Sequence, residues 1–121
     1  MNASDARNKI VSYIGRRGDF KVSSKRAKYW FKVLNVAVFD SELTVPEFDI
    51  RALNGNVGLC HHDGTTTITI STRIQDKELF IATLAHEMVH QYQQDTECKM
   101  HHGRSFKDWQ LYIKEILGFT I

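Results

Sequence analysis

The stretch KELFIATLAHEMVHQYQQ, residues 77–94, organises the reading of the whole chain. Ile81, Leu84, Ala85, Met88 and Tyr92 recur every three or four residues and share one stripe of a helix, flanked by Leu79, Phe80 and Val89. So wide an apolar surface predicts a helix that is substantially buried. Thr83, His86, Glu87, His90 and Gln94 nevertheless make a polar stripe along it. Unpartnered polar groups are costly to bury, so this stripe needs something to satisfy it.

His86-Glu87-Met88-Val89-His90 is an H-E-x-x-H pentad. Residues four apart on a helix project from the same face, with Cβ atoms about 5–6 Å apart. Two imidazoles placed in this way can share one tetrahedral Zn²⁺, to which each would bond at about 2.0–2.1 Å. Glu87 stands one step round the helix, where it can take a proton from a water beside the metal without being a ligand itself. With six histidines and six glutamates in the chain, such a pentad arises in roughly one shuffled sequence in 70, so the motif needs context. The helical period supplies part of that context, against the plainer reading of a surface helix that happens to carry two histidines.

A catalytic zinc takes a third protein ligand and keeps one position open. The extended pattern H-E-x-x-H-x-x-G-x-x-H is not met, because Gln93 and Thr96 stand where its Gly and His should be. The next histidines are His101 and His102, within His101-His102-Gly103-Arg104-Ser105-Phe106 at the start of the last helical segment. Gly103 would allow close backbone approach there. The spacing leaves both histidines open as the third ligand.

The segments around this core give an α+β layout. Residues 4–15 and 24–38 read as helices, the first capped by Ser4 or Asp5 and the second by Ser23 or Ser24. Strand candidates follow at 48–53, 57–62 and 65–71, with turn signals at Asn54-Gly55-Asn56 and Asp63-Gly64. Alternating Thr and Ile make residues 65–71 the clearest strand. The expectation is a small antiparallel sheet of about three strands with helices packed on it. A last helix spans 104–117, with Gly118 placed for a C-terminal cap. Trp30, Phe31, Phe106 and Trp109, at helical spacing, read most simply as core. Cys60 reads as a small apolar filler, and His61 and His62 as exposed hairpin residues, with groups on the substrate side of a zinc site as the rarer alternative.

With these motifs in view, the chain resembles the SprT-like zinc metallopeptidases, which include the Spartan proteases. That family pairs H-E-x-x-H on a helix with H-G-x-x-F opening the next. Here the two motifs are His86–His90 and His102-Gly103-Arg104-Ser105-Phe106, followed by Trp109. The resemblance covers most of residues 24–117. It implies a zincin-like fold and peptide-bond hydrolysis with one catalytic Zn²⁺. It also implies that His86, His90 and His102 are the zinc ligands and Glu87 the general base. The implied partner is a protein or peptide substrate, and in Spartan-type members a protein attached to DNA. Tyr92 and Arg104 are candidates for steadying the oxyanion, with a structural role the simpler reading of each. The rival reading is a non-catalytic DNA- or protein-binding module with a structural zinc site.

The chain has 121 residues, one domain's worth, and the expectation is a single SprT-like domain over 1–121. Cys60 and Cys98 are too few to build a C-terminal zinc ribbon and read as reduced thiols. No apolar run approaches the roughly 20 residues of a membrane span, and MNASDARNKI has no apolar signal core. The expected setting is therefore cytoplasmic, neither secreted nor membrane-bound. Charge is unevenly spread. Residues 1–34 hold nine Lys/Arg against two acidic residues, while the remainder is net acidic. In this basic helical part Arg16, Arg17, Lys25, Arg26, Lys28 and Lys32 surround Tyr29 and Trp30, a composition suited to a nucleic-acid backbone. The plainer alternative is a solvated helix face.

Overall fold

In the computed structural model, which describes residues 1–121, the elements run α1 (Ala3–Gly15), α2 (Ser24–Val38), β1 (Glu47–Arg51), β2 (Gly58–Asp63), β3 (Thr65–Ser71), α3 (Lys77–Glu97) and α4 (Arg104–Leu117). The first three helices each start on a side-chain cap. Asn2, rather than Ser4 or Asp5, caps α1 by accepting from the Asp5 N–H at 2.8 Å. Ser23 caps α2 through the Arg26 N–H. Asp76 holds the start of α3 with both carboxylate oxygens, on the Glu78 and Leu79 amides. α3 outruns its predicted end by three residues and stops where Cys98 turns left-handed at φ 57°. Gly118 closes α4 in the same conformation at φ 86°, as the sequence predicts.

The sheet is mixed, and this corrects the antiparallel expectation. Its order is β1-β3-β2, with β3 in the centre. β2 and β3 form the expected antiparallel hairpin about Gly64, which sits at φ 71°. β1 runs parallel to β3, with Phe48 opposite Ile68 and Ile50 opposite Ile70. The reason lies in the burial of β3. Ile68 and Ile70 are fully buried, and Thr66, Thr69 and Ser71 are buried as well. A strand covered on both faces belongs in the middle, so the chain crosses the end of β3 between β1 and β2 instead of turning back as a hairpin.

Ser71 holds that crossover. Its hydroxyl accepts from the Leu53 and Arg73 amides, both at 3.2 Å, and its own N–H donates to the Val57 carbonyl at 2.9 Å. Upstream, the Asn35 side chain makes two bonds with the Leu43 backbone, and the Gln91 amide reaches the Thr44 carbonyl, which steadies the loop entering β1.

α2 packs against β1 and α3 against β2 and β3, with α1 on α2 and α4 against α1 and α3. Phe31 and Phe48 meet edge-on between α2 and the sheet, with ring centres 5.8 Å apart. α3 is buried along most of its length, from Phe80 to Ala85 and from Glu87 to Gln91, as its double-sided apolar pattern predicts. Trp30, Phe31 and Phe106 are core residues, and Trp109 packs at the core margin. No helix is long and apolar enough to cross a membrane.

Ser71→Ala tests the crossover. It strands the amide of buried Leu53 and should destabilise the protein by about 1–3 kcal/mol, read from the midpoint of urea unfolding. The Ser71→Thr variant keeps the hydroxyl and should recover most of that loss.

Candidate metal centre

His86 and His90 leave α3 one turn apart, and His102 approaches from the loop that α3 and α4 enclose. The three imidazoles converge. His102 Nε2 lies 3.1 Å from His90 Nε2 and 3.3 Å from His86 Nε2. All three ligating atoms fall within 4.8 Å of one another. Two nitrogens bound at about 2.0–2.1 Å to one tetrahedral ion stand about 3.3–3.4 Å apart, close to the separations His102 keeps. The donor set and its spacing fit a metal ion.

Phe106 lies against all three rings. It stacks on His90 at 5.1 Å and meets His86 and His102 nearly edge-on at 4.7 and 4.8 Å. The Phe of the second motif is therefore both a core residue and an apolar contact shared by the histidines.

His90 is supported by Gln93. Gln93 Oε1 lies 2.9 Å from His90 Nδ1, and it also accepts the His101 backbone N–H at 3.1 Å. An oxygen at that position makes His90 carry its proton on Nδ1 and leaves the Nε2 lone pair for a metal. Gln93 has no solvent exposure. The residue that serves the stripe in this way is Gln93 and not Gln94. Its signal in the sequence was its place three residues after His90 on the same helix.

His101, the competing third ligand, is engaged elsewhere. Its Nε2 meets Glu97 Oε1 at 2.8 Å, and its Nδ1 accepts the Gly103 N–H at 2.9 Å. A Cβ on residue 103 would stand 2.8 Å from that Nδ1. The glycine is thus required for space, since its φ of −80° is open to any residue.

Glu87 is 6% exposed and borders a cleft of about 460 Å³ together with Gly58, Thr83, His86 and His102. Burial pushes its carboxyl up to about 7. Burial also lowers His86 to about 4, helped by the proximity of His90 and His102, and it lowers His90. At neutral pH these two histidines are held uncharged, the form that binds metals. Gly58 opens β2 against Thr83 and Glu87, where a Cβ would sit 2.6 Å from Thr83 Cγ2. A glycine inside a strand was the available sign of that close approach. Thr120 and Ile121 line the same cleft, and the Gln110 side chain donates to the Ile121 carbonyl.

Other candidates lie apart from the cluster. His61 and His62 are exposed on β2, and His62 Nδ1 pairs with Thr66 Oγ1. Cys60 is half-buried against the core, and its thiol is pushed up to about 12, chiefly by burial. Cys98 is exposed and is not part of the histidine cluster. Tyr92 packs on Trp109, and neither Tyr92 nor Arg104 lines the cleft. Arg16, Arg17, Lys25, Arg26, Lys28 and Lys32 are all exposed. Lys25 and Arg26 share a groove with Lys21, Ser23 and Tyr29, while Lys28 and Lys32 border a second one beside Pro46 and Phe48.

The SprT-like family model matches residues 27–121, and the chain belongs to that family. No curated protein matches the chain.

In chelated protein, the raised Glu87 carboxyl contributes stability that is complete below its unfolded value of about 4.3 and is lost as pH rises through about 7. Glu87→Gln removes that loss. Its stability relative to the unsubstituted protein should therefore grow between about pH 4.3 and 7. His86 runs the other way, its contribution falling away as pH drops toward about 4, but it is common to both proteins. Urea midpoints across this range check the difference.

Proposed function

We propose that the chain is a zinc-dependent endopeptidase in which His86, His90 and His102 hold the ion and Glu87 is the general base. The observation that carries this reading is the placement of buried Glu87 beside three converging imidazoles, all bordering one open cleft except His90. When bound, zinc would bring the pKa of a water toward neutrality and polarise the scissile carbonyl. Glu87 would accept the proton of the attacking water and pass it to the nitrogen of the departing amine. The low-dielectric setting of Glu87 favours both transfers, since a carboxylate in bulk water is a weak base.

β3 pairs on both of its edges, so it has no edge to offer a substrate. β2 has a free edge and begins at Gly58 in the cleft, which supports an extended peptide lying along β2. A module with zinc for structure alone would close the site with a fourth protein ligand, whereas three side chains gather here.

The exposed cations of α2 support the narrower reading that substrates are proteins associated with DNA. Neither ion pair in the protein occupies any of them; the Arg26 guanidinium donates to the Lys21 carbonyl at 2.6 Å, while Lys25, Lys28 and Lys32 make no such bond and remain available to phosphates.

Glu87→Gln should retain zinc at full stoichiometry and lose at least about 100-fold in peptide cleavage, as expected for removal of a general base. Cleavage that survives this change would remove Glu87 from its role. A chelator should abolish activity, and added zinc should restore it. Binding to DNA should weaken steeply with salt and fall when Lys25, Arg26 and Lys28 are neutralised together; no binding at low salt would end the DNA reading.

A further inference from the structure

We propose that Glu97 is the positioning residue of the metal centre, each of its carboxylate oxygens anchoring the support of one histidine ligand. The inference rests on the metal-centre reading above. Glu97 touches none of the three ligands, and nothing in the motif spacing points to it.

Two branches leave its carboxylate. Oε2 accepts the Ser105 hydroxyl at 2.7 Å. With its proton committed to Glu97, Ser105 Oγ is left as acceptor for Gln93 Nε2 at 3.1 Å. That pins the amide so that Oε1 faces His90 Nδ1 at 2.9 Å. The His101 backbone N–H, which can only donate, meets the same oxygen, and His101 is itself held by Glu97 through its ring. A flipped amide would set an N–H₂ against that donor and turn its oxygen toward Ser105. The direction of the chain of bonds therefore fixes a proton on His90 Nδ1 and a lone pair on His90 Nε2.

The second branch serves His102. Oε1 takes the His101 Nε2 proton at 2.8 Å. A neutral ring with its proton on Nε2 has a lone pair on Nδ1, and there the Gly103 N–H donates at 2.9 Å. His101 and Gly103 flank His102, so this closed ring of bonds sets the path of the backbone that turns the His102 imidazole toward α3. Hydrogen bonds to an ionised acceptor are roughly twice as strong as neutral ones. A carboxylate is also the one side chain that accepts on both arms and donates on neither. The same two bonds, from His101 first and then Ser105, hold the Glu97 carboxyl below its ordinary range.

The test compares Glu97→Gln, Ser105→Ala and the double variant with the unsubstituted protein. Zinc affinity is read by competition with a chelating dye, and the His90 tautomer by imidazole ¹⁵N shifts in chelated protein. Glu97→Gln is expected to lower zinc affinity by about tenfold or more, the size found for residues that orient ligands. It should also spread the His90 proton over both nitrogens, which a merely structural role would not do. Ser105→Ala cuts one branch and leaves the other, so it should shift the His90 tautomer less than Glu97→Gln does, while the double variant costs less than the sum of the two singles. Glu97→Gln affinity within about twofold of the original, with an unchanged His90 tautomer, overturns the proposal. If Glu97→Gln does not fold, Ser105→Ala, which deletes one oxygen, decides on the same two readouts. An unsubstituted protein that binds no zinc sinks the metal centre itself, a result distinct from tight zinc binding indifferent to both variants.

Discussion

Three Nε2 lone pairs meeting in one place is the constraint to which much of this molecule is fitted. His102 approaches both His86 and His90 within hydrogen-bonding distance, and the rings share Phe106 as a neighbour. One proton on His102 Nε2 cannot serve both of these contacts in full, and burial with mutual repulsion keeps His86 and His90 from taking up more. A cation can. The arrangement is also kept by structure on every side: a buried helix supplies two of the imidazoles, a loop tied at His101 and Gly103 supplies the third, and Gln93 meets His90 Nδ1.

The fold supplies the low-dielectric wall that this arrangement needs. α3 can be buried on nearly all sides because the sheet covers one flank and α1, α2 and α4 the others. Burial is what separates Glu87 from an ordinary surface carboxylate. Gly58 is where the sheet meets the site most closely: β2 approaches Thr83 and Glu87 to a distance that leaves no room for a side chain. The mixed sheet matters for the same reason. With β3 central and doubly buried, β2 becomes an edge strand and brings its first residue to the cleft.

The second motif gains its meaning from contacts that spacing does not reveal. Its Gly makes room for the His101 ring, its Ser105 bonds Gln93 and Glu97, and its Phe contacts the three imidazoles. Every position between His101 and Phe106, apart from exposed Arg104, thus has a task at the centre. A loop lacking regular structure is kept in place by side chains, and this is how an imidazole outside any helix is brought to two that lie within one.

Local physics made much of this legible in the linear chain. Helical period placed His86 and His90 on one face and Glu87 beside them, and it located all four helices to within a few residues, because a helix repeats within its own sequence. Thr/Ile alternation marked β3 from Thr65 to Ser71 for the same reason. Only tertiary structure decided the parallel pairing of β1, since two strands separated by a third carry no local record of which will be central. It decided also that Gln93 and not Gln94 serves His90, and that His101 turns to Glu97 while His102 turns to the cluster. Those outcomes depend on where a loop folds back and which donors it brings, a matter of three-dimensional hydrogen-bond direction that no one-dimensional spacing encodes.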